Sequence, residues 1–206
     1  MELRAYQIEA VRAVWRTWRE NPRARPLLVC PTGSGKSYLI AHIIKAIAEK
    51  APATRILVVS HRREIIQQNV NEFQQLVPLP VGIVSAGLRQ KTRKTITFAN
   101  VQSIYKDPGE WDVVICDECH LISGDANSMY QKLLKANASA KILGLTATPM
   151  RLDKSVLVGE KGIFDSIAYE ITIGELINNG FLAPLISIPP KNEQIDTSEV
   201  KKLAGE

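Results

Sequence analysis

Apolar residues mark one helical stripe over residues 3–19 of the opening stretch, "MELRAYQIEAVRAVWRTW". Leu3, Ile8, Val11, Val14, Trp15 and Trp18 carry it, with arginines between them. Trp15 and Trp18 at that spacing read as packing residues rather than base-stacking platforms. Asn21-Pro22 ends the helix. The period then changes. "PLLVC" is an unbroken apolar run, followed by a glycine-rich turn and a helix from about Lys36 to Lys50. "RILVVS" (55–60) repeats the scheme, with a helical "REIIQQNVNEFQQL" behind it. "VGIVS" (81–85), "TITFA" (95–99), "DVVIC" (112–116) and "KILGLT" (141–146) are four more strands, and a helix around Tyr130–Ala136 separates the last two. Apolar strands alternating with helices predict an α/β fold, a mostly parallel sheet with helices on both faces. Beyond Pro149 the periodicity weakens. "TIGELINNGFLAP" reads as a short helix ending at Gly180, and "PPKNEQIDTSEVKKLAGE" as linker or frayed tail.

Composition narrows the class. With 206 residues, 45% of them apolar and 23% charged, the chain is long enough for one α/β domain and the start of a second. No apolar run approaches the roughly 20 residues a membrane span needs, and nothing resembles a secretory signal. The expectation is a cytoplasmic protein with no membrane partner and with its three cysteines reduced. A net charge of +5 is compatible with a nucleic-acid partner without requiring one. "LRQKTRK" (88–94) clusters four basic residues, Arg89, Lys91, Arg93 and Lys94, in an expected loop that either solvates a face or contacts phosphates.

Candidate chemistry begins at "CPTGSGKS" (30–37), which follows a strand and opens a helix, as a phosphate-binding loop does. Gly33 and Gly35 allow the backbone to approach phosphates, with successive N–H groups and a helix N-terminus presenting positive charge. Thr32 and Ser34 belong to the same loop. Lys36 would reach the β- and γ-phosphates, and the Ser37 hydroxyl would ligate Mg²⁺. The first glycine of the strict pattern is replaced by Cys30, which reads as a small core residue.

A second motif, "CDECHL" (116–121), admits two readings. Cys116, Cys119 and His120 fit the C-x-x-C-H haem-attachment spacing, and the thiols form a C-x-x-C pair. A structural zinc would need a fourth ligand, and thiols three apart on a strand point to opposite faces; spacing alone leaves a redox dithiol open. The other reading takes "WDVVICDE" as a buried strand delivering Asp117 and Glu118 to its end. A parallel sheet can bring that end beside the phosphate loop. Asp117 would then hold Mg²⁺ through water, and Glu118 would orient the attacking water. The two carboxylates carry the motif.

With "PTGSGKS" and "DECH" in place, the chain resembles the first RecA-like domain of superfamily-two helicases, over roughly residues 3–185. "LRAYQ" (3–7) resembles the Q motif, which implies that Gln7 reads the adenine edge with Arg4 nearby. "VVSHRREIIQQ" (58–68) resembles motif Ia and "FANVQSI" (98–104) motif Ib, which implies nucleic-acid contacts at His61, Arg62, Arg63, Gln102 and Ser103. For His61, a purely structural hydrogen bond at the strand end is the competing reading. "GLTATPMRL" (144–152) resembles motif III, with Thr146 and Thr148 coupling the nucleotide to nucleic-acid movement. His120 would join the carboxylates to that motif. Within the superfamily, "SAGL", "VQSI", "DECH" and "LGLTATPMRL" resemble most the RadD group of bacterial DNA-repair ATPases, and more broadly the relatives that include restriction-enzyme motor subunits.

The resemblance implies a monomeric ATP-dependent motor with ATP and Mg²⁺ as cofactors and DNA as the track, acting in repair or recombination, with RNA as the alternative track. It also implies a second RecA-like domain that supplies catalytic arginines. Residues 1–185 would form the ATP-binding domain and 186–206 a linker or the start of the second. A non-catalytic, nucleotide-gated binding module is the rival from another class; intact Lys36, Asp117 and Glu118 argue against it.

Overall fold

The computed structural model describes residues 2–125, 127–150, 157–159 and 162–184. Along the chain run α1 (Ala5–Glu20), β1 (Pro26–Val29), α2 (Lys36–Lys50), β2 (Ile56–Ser60), α3 (Arg63–Leu76), β3 (Val81–Ser85), β4 (Gln90–Thr92) and β5 (Ile96–Asn100). There follow α4 (Val101–Ile104), β6 (Val113–Cys116), α5 (Met129–Ala136), β7 (Lys141–Thr146), β8 (Ser166–Glu170) and α6 (Ile173–Asn178). They form one eight-stranded sheet in the order β4-β3-β5-β2-β6-β7-β1-β8, parallel throughout except for the β3–β4 pair.

The strands are apolar on both faces because both faces are covered, and their residues alternate between two cores. Leu28, Cys30, Ile56, Val58, Phe98, Ile115, Leu143 and Leu145 pack with α1, α2 and α3. Leu27, Val29, Leu57, Val59, Val114, Cys116 and Ile142 pack on the other side with α4 and α5. The central strands β1, β2, β5 and β6 are buried at every residue. Among the described residues no helix is long and apolar enough to cross a membrane.

Three departures from the sequence expectations have local causes. In α1 the buried line is Tyr6, Ala10, Ala13, Val14 and Trp18, while Ile8 lies 37% exposed. Two residues past Tyr6 is about 200° round the helix, which turns Ile8 away from the sheet. Trp18 is buried with its Nε1–H donating to the Ala24 carbonyl at 3.1 Å, and Trp15 meets it edge-on. The basic stretch expected as a loop contains β4, which pairs antiparallel with β3 and caps that edge with polar residues. Arg93 there is tied to Asp107, donating to its carbonyl and pairing with its carboxylate at 2.9 Å. At the other edge β8, unsignalled in the sequence because its residues are largely exposed, pairs with β1. The proposed linker 186–206 lies outside the described residues, as do Arg151 and Leu152 of the "GLTATPMRL" stretch.

Gly144 in β7 lies where a Cβ would stand 2.4 Å from the Phe164 ring and 2.8 Å from a Leu27 methyl. Gly144→Ala should therefore cost about 1–3 kcal/mol through overpacking. Thermal unfolding should show the loss, and a second substitution, Phe164→Leu, should recover part of it.

Candidate functional site

Every parallel strand delivers its following loop to the same edge of the sheet, so the site is assembled from loops after β1, β6 and β7, which are neighbours. The loop after β1 turns through left-handed backbone at Gly33 (φ 84°) and Gly35 (φ 79°) before α2 begins at Lys36. Both positions need glycine conformationally. Space is short as well: a Cβ on Gly35 would stand 2.7 Å from Gln7 Nε2, and one on Gly33 would stand 3.0 Å from a Leu182 methyl, which would have to shift. Ser34 is fully buried at the turn, and its carbonyl accepts from Tyr6 Oη at 2.7 Å and from Gln7 Nε2 at 3.0 Å. Thr32 and Gly33 are exposed, while Ser37 is half-buried in the first turn of α2.

Gln7 is buried, and its Oε1 accepts from the Arg4 backbone N–H at 3.0 Å. Both ends of its amide are thus engaged by the chain itself, which holds α1 against the phosphate loop. The Arg4 guanidinium lies 4.9 Å from the centre of the Phe181 ring, a cation–π distance.

Lys36 meets the carboxylate pair across β7. Its Nζ lies 3.4 Å from Glu118 Oε1 and donates to the Cys30 carbonyl at 3.3 Å. Glu118 adopts a left-handed conformation (φ 50°, ψ 47°) unusual for a residue with a side chain, at a cost of about 1–2 kcal/mol. That turn separates the two acids: Asp117 is buried, whereas Glu118 remains partly open beside Lys36. His120 Nδ1 stands between the loops, 3.4 Å from Glu118 Oε2 and 3.0 Å from Thr146 Oγ1. Thr146 Oγ1 in turn donates to the Thr148 carbonyl at 2.8 Å and accepts from the Thr148 N–H at 3.1 Å. Glu118, His120, Thr146 and the Thr148 backbone form one continuous chain.

The Asp117 oxygens accept from Asn69 Nδ2 at 2.8 Å and from the Glu118 N–H at 2.9 Å. Burial pushes the Asp117 carboxyl above its ordinary range, and the Asn69 hydrogen bond pulls it partway back.

The two thiols of "CDECHL" do not point apart. The chain turns at Glu118, so Cys119 begins a 3₁₀ turn and enters the same core as Cys116. Both are fully buried; burial pushes Cys116 up to about 12 and Cys119 well above the ordinary thiol value. They are protonated apolar side chains at neutral pH, unsuited to metal or redox chemistry. Among the described residues no three His, Cys, Asp or Glu are grouped to hold a metal. Cys30 is likewise core, pushed up to about 12 by burial.

The motif Ia and Ib residues gather along the other half of the same edge, after β2, β5 and β3. Arg62 and Arg63 are exposed at the start of α3, with Arg63 paired to Glu64 at 2.8 Å. Asn100 joins two of the loops, donating to the His61 carbonyl at 2.8 Å and accepting from the Gln102 N–H at 3.1 Å. Ser103 Oγ accepts from the Ala86 N–H at 2.9 Å, which ties in the loop after β3. His61 stacks on the buried Tyr130 (5.9 Å, 18°), and burial, then the neighbouring Arg62 charge, lowers its pKa. Among the described residues the His61 Nδ1 finds no hydrogen-bond partner, and Arg62 and Arg63 are the exposed charges beside it.

Residues 1–151 match the family described as "Type III restriction enzyme, res subunit". The chain belongs to that family. Its relatives include an endonuclease subunit of the type I restriction enzyme EcoAI from Escherichia coli, 30% identical over 88% of this chain and 23% of the relative. Among solved structures, a nuclease-deletion mutant of the type ISP restriction-modification enzyme LlaGI, in complex with a DNA substrate mimic, aligns with a TM-score of 0.65 at 16% identity. It covers 88% of this chain and 21% of that one. The UvsW helicase of bacteriophage T4 aligns with a TM-score of 0.63 at 21% identity, over 82% of this chain and 60% of that one. The fold is therefore the RecA-like domain of superfamily-two helicases, and the chain spans only a quarter or less of the two restriction enzymes. These matches set the family without singling out the RadD group within it.

Asp117 also carries a pH signature. Because its folded-state carboxyl sits above the unfolded value, the native state binds the extra proton, and Asp117's contribution to stability declines as pH rises through the raised value. Asp117→Asn cannot ionise. The melting temperature of that variant minus the parent's should therefore shift in the variant's favour between about pH 4 and about pH 8, measured by thermal unfolding.

Proposed function

We propose that this chain is the ATP-binding motor domain of a DNA helicase or translocase, which hydrolyses ATP to move along or remodel DNA. The observation that carries the reading is the meeting of Lys36 Nζ with Glu118 Oε1 at 3.4 Å, from loops two strands apart. An ammonium and a carboxylate brought together at the mouth of a glycine turn fit the two sides of a phosphoanhydride: the cation for the β- and γ-phosphates, the anion for the attacking water. The residues also fit Mg²⁺, with the Ser37 hydroxyl and the Asp117 carboxylate as its holders; the ion would neutralise charge on the phosphate oxygens. Thr32, Gly33, Ser34 and Gly35 would cradle the phosphates through backbone N–H groups. Arg4 would lie on the base side, where Gln7 would read the base with the second N–H and second carbonyl lone pair that its bonds to Ser34 and Arg4 leave over. Glu118 would draw a proton from the attacking water, with His120 and Thr146 reporting that event toward Thr148.

DNA is the favoured track because the LlaGI relative binds a DNA substrate mimic and the EcoAI relative is a restriction subunit. Arg62, Arg63, Gln102 and Ser103 would face it, gripping backbone rather than bases. Repair or recombination is the setting implied by motif resemblance, and restriction is that of the relatives. A second RecA-like domain would supply arginine to the transferring phosphate, an effect worth about 10³–10⁵ in rate.

The test is steady-state ATP hydrolysis with duplex DNA, single-stranded DNA, RNA or no polymer at one salt concentration, for the 206-residue chain and for a longer polypeptide that carries it. Lys36→Ala serves as the blank. The chain alone should turn over very slowly, and the longer polypeptide should be stimulated by DNA. Stimulation by RNA alone would overturn the choice of track, and activity surviving Lys36→Ala would overturn the site.

A further inference from the structure

The core face of α3 contains one residue that its packing does not explain. Ile66, Asn69, Val70 and Phe73 are the buried residues of that helix, and Asn69 interrupts an apolar stripe at 1% exposure. Its Nδ2 donates to Asp117 Oδ2 at 2.8 Å across 48 residues of sequence. Its Oδ1 is buried with no hydrogen-bond partner among the described residues. An orphaned amide oxygen costs stability, and a leucine of similar size would avoid that cost. The residue therefore earns its place through the other end of the amide.

That end acts on one atom. A carboxylate on a single side-chain bond can rotate, and the Glu118 N–H alone holds only Asp117 Oδ1. The amide on Oδ2 fixes the second oxygen and so the plane of the group, leaving its outward lone pairs in a set direction. We infer that Asn69 is the positioning residue that orients Asp117 for its divalent cation and ties that orientation to α3. The inference rests on the proposed reading of the site.

The position of Asn69 gives the tie its meaning. It is six residues beyond Arg63, about 9 Å along a continuous helix whose first residues are the candidate DNA contacts. On the sheet, β3, β5 and β2 carry the loops of the track half, and β6, β7 and β1 those of the nucleotide half. The Asn69–Asp117 bond crosses that division in the buried interior. A displacement of α3 at Arg62 and Arg63 therefore moves the donor that sets the Asp117 carboxylate. The aspartate backbone is anchored to the sheet, its N–H donating to the Val59 carbonyl of β2 at 2.9 Å.

The experiment uses Mn²⁺ as the probe ion, read by electron paramagnetic resonance, with a non-hydrolysable ATP analogue on the intact chain, with and without duplex DNA. Asn69→Leu and Asn69→Ala remove the same donor but leave different volumes, so their melting temperatures should differ. Both should weaken Mn²⁺ binding by about tenfold and by a similar factor, while metal-free binding of the analogue stays within about twofold of the parent. DNA should change Mn²⁺ affinity in the parent and lose that effect in both variants. Unchanged Mn²⁺ affinity in a folded variant, or losses that follow melting temperature rather than the missing donor, would overturn the inference. If Lys36→Ala leaves analogue binding intact, or the parent binds no Mn²⁺–analogue, the site reading fails and takes this inference with it.

Discussion

One strand, β7, stands between the strand that leads into the phosphate loop and the strand that ends in the two acids, and the site depends on that spacing. Two inter-strand steps are about 10 Å. A lysine reaching from one side and a glutamate turned outward on the other meet across it at 3.4 Å. With one more strand between them the charges would not touch. The gap is also where Thr146 emerges, so His120 has a partner directly between the loops. Parallel pairing makes this possible, because it sends every loop to one edge.

The same edge carries costs that the buried strands must offset. Asp117 is an acid almost without solvent, Glu118 is held in left-handed backbone, and Asn69 buries an amide oxygen with no partner among the described residues. None of the three improves packing. All lie within one short stretch of structure around the carboxylates, which is where backbone strain and poorly satisfied groups mark chemistry rather than folding. The two apolar layers on either side of the sheet supply the stability against which these are tolerated.

Much of this was legible in the sequence, and for a physical reason. A strand covered on both faces must be apolar throughout, so β1, β2, β5, β6 and β7 announced themselves, and the phosphate loop and acid pair fell at their ends. Edge strands face no such demand. Gln90–Thr92 and Ser166–Glu170 are largely exposed, and their pairing is fixed by neighbours rather than by their own composition. The cysteine spacing misled about direction because strand alternation stops at Glu118, a backbone reversal that no residue type there signals. Asn69 did leave a trace: a polar residue at a core position of the Ile66–Val70–Phe73 stripe. What the sequence could not supply was the acid it bonds, 48 residues further on.

The three thiols have a use unconnected with catalysis. Cys30 lies in the core on one face of the sheet, and Cys116 and Cys119 lie in the core on the other. Sealed and protonated, they are silent toward alkylating reagents until the layer above each is lifted. Peptide-resolved alkylation over time would thus clock the opening of each layer separately, with the native cysteines as the only reporters. A molecule whose helices part from the sheet one face at a time would be caught doing so.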